Sequence, residues 1–276
     1  MTAAVHEDGG VIVAQIMHGG RISHPAISGT GRTVAPSAIA APGEIRIPTG
    51  KSALPVPAAL TPDEIRDVVA GFAAAARNAV AAGMDGVEIH GANGYLLHQF
   101  LTPAANTRTD QYGGAPENRI RFVVEVLTAV AAAIGADRTG VRFSPQHNIQ
   151  GALETDDADV TATYTALAEA LSPLGLAFVD VLHADPAGEL IQKFRHTIGA
   201  PLIANTGFGT PTTRAEAIRL VEDDVAEAVG VGRAVIANPD LVARWSHGAE
   251  ENAPDPTTFY TGGPQGYVDY PTLSAR

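Results

Sequence analysis

Three side chains capable of catalysis follow one short apolar run in the stretch GMDGVEIHGANGYLLHQFLTP, residues 83–103. His90 ends the run, Asn93 comes three residues later, and Tyr95 follows two residues after that. An imidazole and an amide can both hydrogen-bond a substrate oxygen, and a phenol can donate a proton. The types and spacing of these residues predict a site that polarises an oxygen and delivers a proton.

A structural role is the alternative for the same residues. His90 and Asn93 could satisfy backbone groups at a strand end, with Tyr95 as ordinary packing. A metal site is disfavoured because no second histidine or carboxylate lies at a suitable ligand spacing beside His90. The chain has no cysteine, which excludes thiolate catalysis and disulfides. Amine catalysis of the Schiff-base aldolase type is also disfavoured, because neither lysine, Lys51 or Lys193, ends a predicted strand.

Six short apolar runs predict strands, and segments with helical periodicity lie between them. Thr61 before Pro62, with Glu64 three residues after the threonine, predicts a helix start, and Gly83 and Gly135 lie where helices should stop. Alternation of helices with buried strands indicates a parallel sheet. The predicted strands are VIVAQIM (11–17), MDGVEIH (84–90), GVRFSP (140–145), FVDVLH (178–183), PLIAN (201–205) and AEAVGVG (226–232).

The ends of the last two strands distinguish between an open doubly wound sheet and a closed barrel. They run into the glycine turns NTGFG (205–209) and GVGR (230–233), whose N–H groups, together with Arg233, suit a phosphate. Barrels commonly bind phosphate after strands seven and eight. We therefore predict an α/β fold of the (β/α)8 TIM-barrel type. Counting back makes VIVAQIM the third strand, so about six of the eight βα units are present and the first two strands are missing.

A single partial-barrel domain over residues 1–276 is the expected organisation, with one long loop at residues 19–60. This loop is rich in Gly, Pro and Ser and has no helical pattern. Because it follows a barrel strand, we expect it on the active face as a lid or pocket wall, with room for a small hairpin. Disorder is the alternative for this segment.

The overall charge argues against nucleic acid as a partner. Eighteen Lys and Arg against thirty Asp and Glu give a net charge of −12, and the basic residues form no cluster. No run approaches the roughly 18 apolar residues that cross a bilayer, and the N-terminus MTAAVHEDGG does not resemble a secretion signal. We therefore expect a soluble, cytoplasmic protein with a small-molecule substrate.

Side-chain alternation along the strands predicts which residues face the barrel axis. If Val87 and Ile89 face the helices, then Glu88 and His90 face the axis. The same alternation directs Gln15 inward on the first of the predicted strands. His90 then lies at the mouth of the barrel, where barrel enzymes carry their active sites.

Arg142 is the charged residue expected beside this site. It shares a strand face with Ser144, and its inward placement would put a guanidinium near Glu88 of the neighbouring strand. A fixed positive charge there would favour an anionic ring system. The alternative is a structural ion pair between Glu88 and Arg142, and both roles can hold because a paired arginine keeps donors free.

Motifs along nearly the whole chain carry a family resemblance. The most specific is GVEIHGANGYLLHQFLTPAANTRTDQYGG (86–114), accompanied by QIMHGGRISHP (15–25), ENRIRF (117–122), VRFSP (141–145), NTGF (205–208), VGVGRAVIANPDL (229–241) and TFYTGGPQGYVDYP (258–271). Together they resemble the old yellow enzymes, FMN-dependent ene-reductases built on an eight-stranded βα barrel. The resemblance implies reduction of activated C=C bonds in enones, enals or nitro-alkenes.

The resemblance also implies roles at the substrate site. His90 and Asn93 would bind the carbonyl or nitro oxygen of the substrate over the flavin. Tyr95 would protonate the α-carbon after hydride from the flavin reaches the β-carbon. Tyr260, in the stretch TFY, would line the substrate pocket.

For the cofactor, the resemblance implies FMN, reduced by NADPH or NADH before the alkene is reduced. Gln15 and Arg142 would contact the pyrimidine edge of the flavin ring, with Arg142 offsetting the charge of the reduced flavin. The residues that would hold the phosphate are Gly207, Phe208, Gly232 and Arg233.

Two departures from the family pattern affect these expectations. Met17 occupies a position where many members have tryptophan, which should change the pocket wall. The missing first two strands would leave open sheet edges that invite pairing with other chains, so a homo-oligomer is one expectation. A downstream start or a truncated gene would explain the missing strands. A non-catalytic remnant that binds flavin or phosphate, or acts as an interaction protein, is the competing hypothesis.

Overall fold

The computed structural model describes residues 1–207, 209 and 211–273. Its strands, in chain order, are β1 (Val13–Ile16), β2 (Val34–Ala35), β3 (Glu44–Ile47), β4 (Gly50–Ala53), β5 (Ala58–Ala59), β6 (Gly86–His90), β7 (Thr139–Phe143), β8 (Phe178–Leu182), β9 (Leu202–Asn205) and β10 (Ala228–Val229). Its α-helices are α1 (Thr2–Glu7), α2 (Pro25–Ser28), α3 (Pro62–Ala81), α4 (Leu96–Leu101), α5 (Pro116–Arg119), α6 (Arg121–Ile134), α7 (Asp157–Leu171), α8 (Glu189–Ile198), α9 (Arg214–Glu222), α10 (Arg233–Ala237) and α11 (Leu241–His247).

One parallel sheet of six strands organises the fold, in the order β1-β6-β7-β8-β9-β10. Every predicted strand is present, and the predicted partial (β/α)8 barrel is confirmed. Within the described residues the sheet stays open, with β1 and β10 at its two edges. Two side chains of β1 and its continuation, Val13 and Met17, are 36% and 50% exposed, so this edge is only half covered.

The apolar core lies between the sheet and the helices. Val87 and Ile89 of β6 are fully buried in it, and the alternate residues Glu88 and His90 point to the opposite face, as predicted. Each buried aliphatic side chain of this kind contributes roughly 1.5–3 kcal/mol to folding. The hydrophobic pattern of the strands therefore fixes which polar residues reach the inner face.

Two helical features differ from the sequence pattern. The sequence pattern predicts no helix directly after Tyr95, but Tyr95 is the N-cap of the short helix α4, all six residues of which are buried. A helix buried on every side has no polar face, so its sequence lacks helical periodicity. The helical segment that ends at Gly135 is divided at Ile120 into α5 and α6. No helix among the described residues is long and apolar enough to span a bilayer.

The long segment after β1 carries the predicted hairpin. Strands β3 and β4 pair antiparallel, and β2 pairs with β5. Arg108, from the stretch NTRTDQYGG, holds this segment by donating from Nη1 to the carbonyl oxygens of Pro36 at 2.9 Å and Leu60 at 2.6 Å. Hydrogen bonds from a charged donor are stronger than neutral ones, so this arginine anchors the long segment to the barrel at Pro36 and at Leu60.

The start of helix α3 has the capping box that the sequence predicts, and its contribution to stability can be measured. Thr61 Oγ1 accepts from Glu64 N at 3.3 Å, and Glu64 Oε2 accepts from Thr61 N at 2.8 Å. Thr61→Ala should lower the free energy of unfolding by about 1 kcal/mol in urea denaturation, with an unchanged m value. Thr61→Ser, which keeps the acceptor, is the matched control. An alanine variant as stable as the parent would show that the cap is dispensable.

Candidate active site

The turn that follows β6 is held in a strained conformation by neighbouring side chains. Asn93 has φ of 57°, in the left-handed region that non-glycine residues rarely adopt. Its N–H donates to Ser144 Oγ at 2.7 Å, and its carbonyl accepts from Gln150 Nε2 at 2.7 Å. The next N–H, of Gly94, donates to His98 Nδ1 at 2.9 Å. These contacts offset the strain, which is the usual condition for its persistence at a functional site.

A buried histidine and a buried carboxylate hold this turn in place. Because His98 Nδ1 accepts a hydrogen bond, its proton lies on Nε2, which is 3.2 Å from Glu154 Oε1. Glu154 also accepts from Gln146 N at 2.7 Å and from the Tyr164 hydroxyl at 3.1 Å. Burial opposes ionisation of Glu154, but the contacts with His98, Gln146 and Tyr164 prevail and lower its pKa. The turn therefore rests on a fixed negative charge.

The structure brings together the three residues predicted to act on the substrate. His90 Nε2 and Asn93 Nδ2 are 3.5 Å apart, and both side chains are buried. Two nitrogens this close can donate to the same oxygen atom. The Tyr95 ring lies beside them, with its centroid 5.4 Å from that of His90.

Two buried polar atoms of this cluster lack a hydrogen-bond partner among the described residues, His90 Nδ1 and Asn93 Oδ1. Buried polar atoms are nearly always paired in folded proteins. Two unpaired buried polar atoms in neighbouring side chains are expected where those side chains bind a polar ligand.

Burial determines the charge of His90. It lowers the pKa of this imidazole to about 4, with smaller contributions from the positive charge of Arg142 and from His98. The ring is therefore neutral at pH 7, where it can donate a hydrogen bond without bringing a positive charge to the site.

Arg142 joins this cluster to a second polar group on the inner face. In the strand register it stands opposite His90 on β6 and opposite Asp180 on β8, while Glu88 stands opposite Gly140. Arg142 Nη1 pairs with Asp180 Oδ2. The alternative of a structural ion pair between Glu88 and Arg142 is therefore wrong, because Arg142 pairs with Asp180, which faces it across the sheet.

Glu88 and Gln15 complete the second group. Gln15 Nε2 donates to Glu88 Oε1 at 2.5 Å, which links the edge strand β1 to β6. Asp180 is the residue that sequence reasoning missed. The alternation in FVDVLH could have identified it, because Val179 and Val181 face the helices and leave the carboxylate between them on the inner face.

A cavity of about 570 Å³ opens beside Arg142, within the size range of cofactor pockets. Gly207 and Gly232 line it, and apart from each glycine's own chain neighbours no heavy atom of the described residues lies within 4 Å of the position that a Cβ would take. Arg233 is exposed on the same wall. Tyr260 lies at the rim with its ring fully exposed, at 100%. Phe208, the other residue predicted to hold phosphate, lies outside the described residues.

The residues present fit the flavin mononucleotide that the resemblance implies. Arg142 and Arg233 line the cavity together with the open backbone of Gly207 and Gly232. The unpaired His90 Nδ1 belongs to the residue opposite Arg142 on β6. Arginine side chains and exposed N–H groups are the usual ligands of phosphate. Gln15 is not part of this cavity wall, and it approaches the site only through Glu88.

The neutral state of His90 gives a second test. In nitrogen-NMR spectra the His90 ring should titrate with a midpoint near 4 rather than at its ordinary value of 6.5. Its signal is identified by its loss in His90→Gln. Arg142→Met removes one of the causes of the lowered pKa and should raise the midpoint. A parent midpoint near 6.5 would mean that the imidazole is not desolvated as described.

The comparisons with known proteins agree with this geometry. The sequence matches the model of the NADH:flavin oxidoreductase / NADH oxidase family over residues 1–252. It is 45% identical over 282 residues to a probable flavin mononucleotide-dependent alkene reductase of Leishmania infantum, covering 99% of this chain and 75% of the relative. It is 37% identical over 289 residues to a putative 12-oxophytodienoate reductase of Oryza sativa subsp. japonica, covering 99% and 72% of the two chains.

Solved structures show the same fold. The old yellow enzyme homologue of Zymomonas mobilis superposes with a TM-score of 0.91 at 39% identity, over 99% of this chain and 77% of that chain. Morphinone reductase in complex with tetrahydroNAD superposes with a TM-score of 0.89 at 40% identity, over 99% and 76% of the two chains. The chain belongs to the NADH:flavin oxidoreductase / NADH oxidase family, as an FMN-dependent oxidoreductase of the old yellow enzyme type.

Proposed function

We propose that this chain uses NADPH or NADH to reduce the C=C bond of α,β-unsaturated carbonyl or nitro compounds at the site formed by His90, Asn93 and Tyr95. The observation that carries the proposal is the convergence of His90 Nε2 and Asn93 Nδ2, 3.5 Å apart and buried, beside the Tyr95 ring. The relative named an alkene reductase and the morphinone reductase complex with tetrahydroNAD support the reaction and the hydride donor.

The cavity beside Arg142 is the proposed cofactor site. Gly207, Gly232 and Arg233 would hold the phosphate of FMN, and Arg142 would face the ring. Phe208 is the proposed further contact to the phosphate, and Gln15 to the ring edge. FMN, when bound, supplies to the substrate a hydride received from the nicotinamide.

The side chains of this chain account for the rest of the chemistry. His90 and Asn93 donate two hydrogen bonds to the carbonyl or nitro oxygen, which draws electrons from the alkene and makes its β-carbon electron-poor. Tyr95 donates its hydroxyl proton to the α-carbon and recovers a proton from solvent, so the product gains one hydride and one proton. Tyr260, at the exposed rim, would contact substrate as it enters.

The proposal is tested on the purified 276-residue chain. We expect a yellow protein whose visible spectrum shows oxidised flavin, and NADPH oxidation that depends on added cyclohexenone. Cyclohexanone, which lacks the alkene, is the matched control and should not stimulate the oxidation. A colourless protein that cannot be reconstituted with FMN, or a rate of NADPH oxidation that does not depend on cyclohexenone, would favour a non-catalytic remnant instead.

Tyr95→Phe separates the two half-reactions. Removing the hydroxyl should slow alkene reduction about 100-fold or more, because general acid catalysis contributes roughly 10²–10⁴. Reduction of the flavin by NADPH should be nearly unchanged, since it needs no proton from Tyr95. Stopped-flow absorbance measures both rates on one preparation. Equal losses in the two half-reactions would contradict the proton-donor role.

A further inference from the structure

A buried ion pair and a second carboxyl group lie together on the inner side of the sheet. The side chains of Arg142 and Asp180 are only 15% and 9% exposed. Asp180 Oδ2 takes the ion pair with Arg142, and Asp180 Oδ1 is buried without a partner that donates to it among the described residues. Glu88 lies against Asp180 and adds to the interactions that raise the pKa of that carboxyl.

Two carboxylates in contact cannot both ionise easily in a buried site. Burial raises the pKa of Asp180 to about 6, Arg142 opposes the rise, and Glu88 increases it. Asp180 Oδ1 is buried and has no partner among the described residues, and a proton held between the two carboxyl groups would give it a hydrogen bond. Gln15 already donates to one oxygen of Glu88, which leaves the other oxygen free for that proton.

We propose that Asp180 and Glu88 hold one proton between them behind Arg142, and that this carboxyl pair sets the reduction potential of the bound flavin. Asp180 and Glu88 are then positioning residues, because they act through the guanidinium and touch neither substrate nor ring. The inference rests on the proposed flavin-facing role of Arg142 and adds to it a site for proton uptake.

The charges around the pair explain why it should respond to reduction. The pair consists of Glu88 on β6 and Asp180 on β8. Arg142 stands opposite Asp180 on β7, and the uncharged Ile203 stands opposite it on β9. His90, opposite Arg142, is neutral, and His147 follows β7 with a pKa lowered by burial, so neither adds positive charge at neutral pH.

Below about pH 6 the pair holds one proton and carries one negative charge, which balances Arg142, and above that pH the proton is lost. Negative charge that develops on the ring beside the guanidinium raises the affinity of Asp180 for this proton. Reduction above pH 6 therefore draws the shared proton from solvent. Reduction should therefore be coupled to proton uptake at a pH where Asp180 titrates.

The test is the midpoint potential of bound FMN as a function of pH in the holoenzyme. The parent should show a break in slope near pH 6. Asp180→Asn and Glu88→Gln should each abolish this break, because a single remaining carboxylate ionises beside Arg142 over the whole range. The double variant loses one negative charge and should raise the potential by about 30 mV or more, a tenfold change in relative affinity for reduced flavin. Asp185→Asn, an exposed aspartate after β8, is the charge-matched control and should keep the break.

A second measurement removes the dependence on flavin binding. Infrared spectra of the apoprotein below pH 6 should contain the band of a buried protonated carboxyl group, and either single variant should lose it. The inference is overturned if the midpoint potential of bound FMN depends on pH in both single variants as it does in the parent. It is also overturned if the infrared band of the protonated carboxyl group persists in the apoproteins of both single variants. Failure of the proposed function is recognised separately, as a parent that binds no FMN or does not reduce cyclohexenone.

Discussion

The hydrogen bonds that hold the turn after β6 are the constraint on which the site depends. Asn93 can keep its left-handed backbone only because Ser144 and Gln150 satisfy its N–H and carbonyl. His98 fixes the following N–H and is itself aligned by the buried carboxylate of Glu154. Ser144 and Gln150 follow β7, so the loop after β7 holds the turn that follows β6 and fixes the position of Asn93 beside His90.

Arg142 is the second organising residue, because it acts on both halves of the site. Its positive charge helps to lower the pKa of His90, which keeps the oxygen-binding imidazole neutral. On its other side it is paired with Asp180 and lines the cavity with the glycine turns. In the proposed function, this guanidinium would separate a neutral substrate region from a charged cofactor region, and in the further inference the carboxyl groups beside it would determine how much of its charge the cofactor experiences.

The sequence predicted the strands and the inward direction of Glu88 and His90, because period-two alternation against a buried helix layer has one solution. It also predicted that Asn93 and Tyr95 lie beside His90, because the three residues are close together in the sequence. It did not predict that Arg142 pairs with Asp180, since the partner depends on the register between β7 and β8, which residue spacing within one strand does not specify. Helix α4 was missed because full burial removes the periodicity on which helix prediction rests.

A crystal structure of the protein with FMN and a phenolic ligand tests the account most directly. We expect the phenol oxygen within hydrogen-bonding distance of both His90 Nε2 and Asn93 Nδ2, with the flavin ring against Arg142 and its phosphate at Gly207 and Gly232. A ring bound elsewhere, or a phenol that contacts neither side chain, would contradict the central claim that these two nitrogens form the substrate oxygen site.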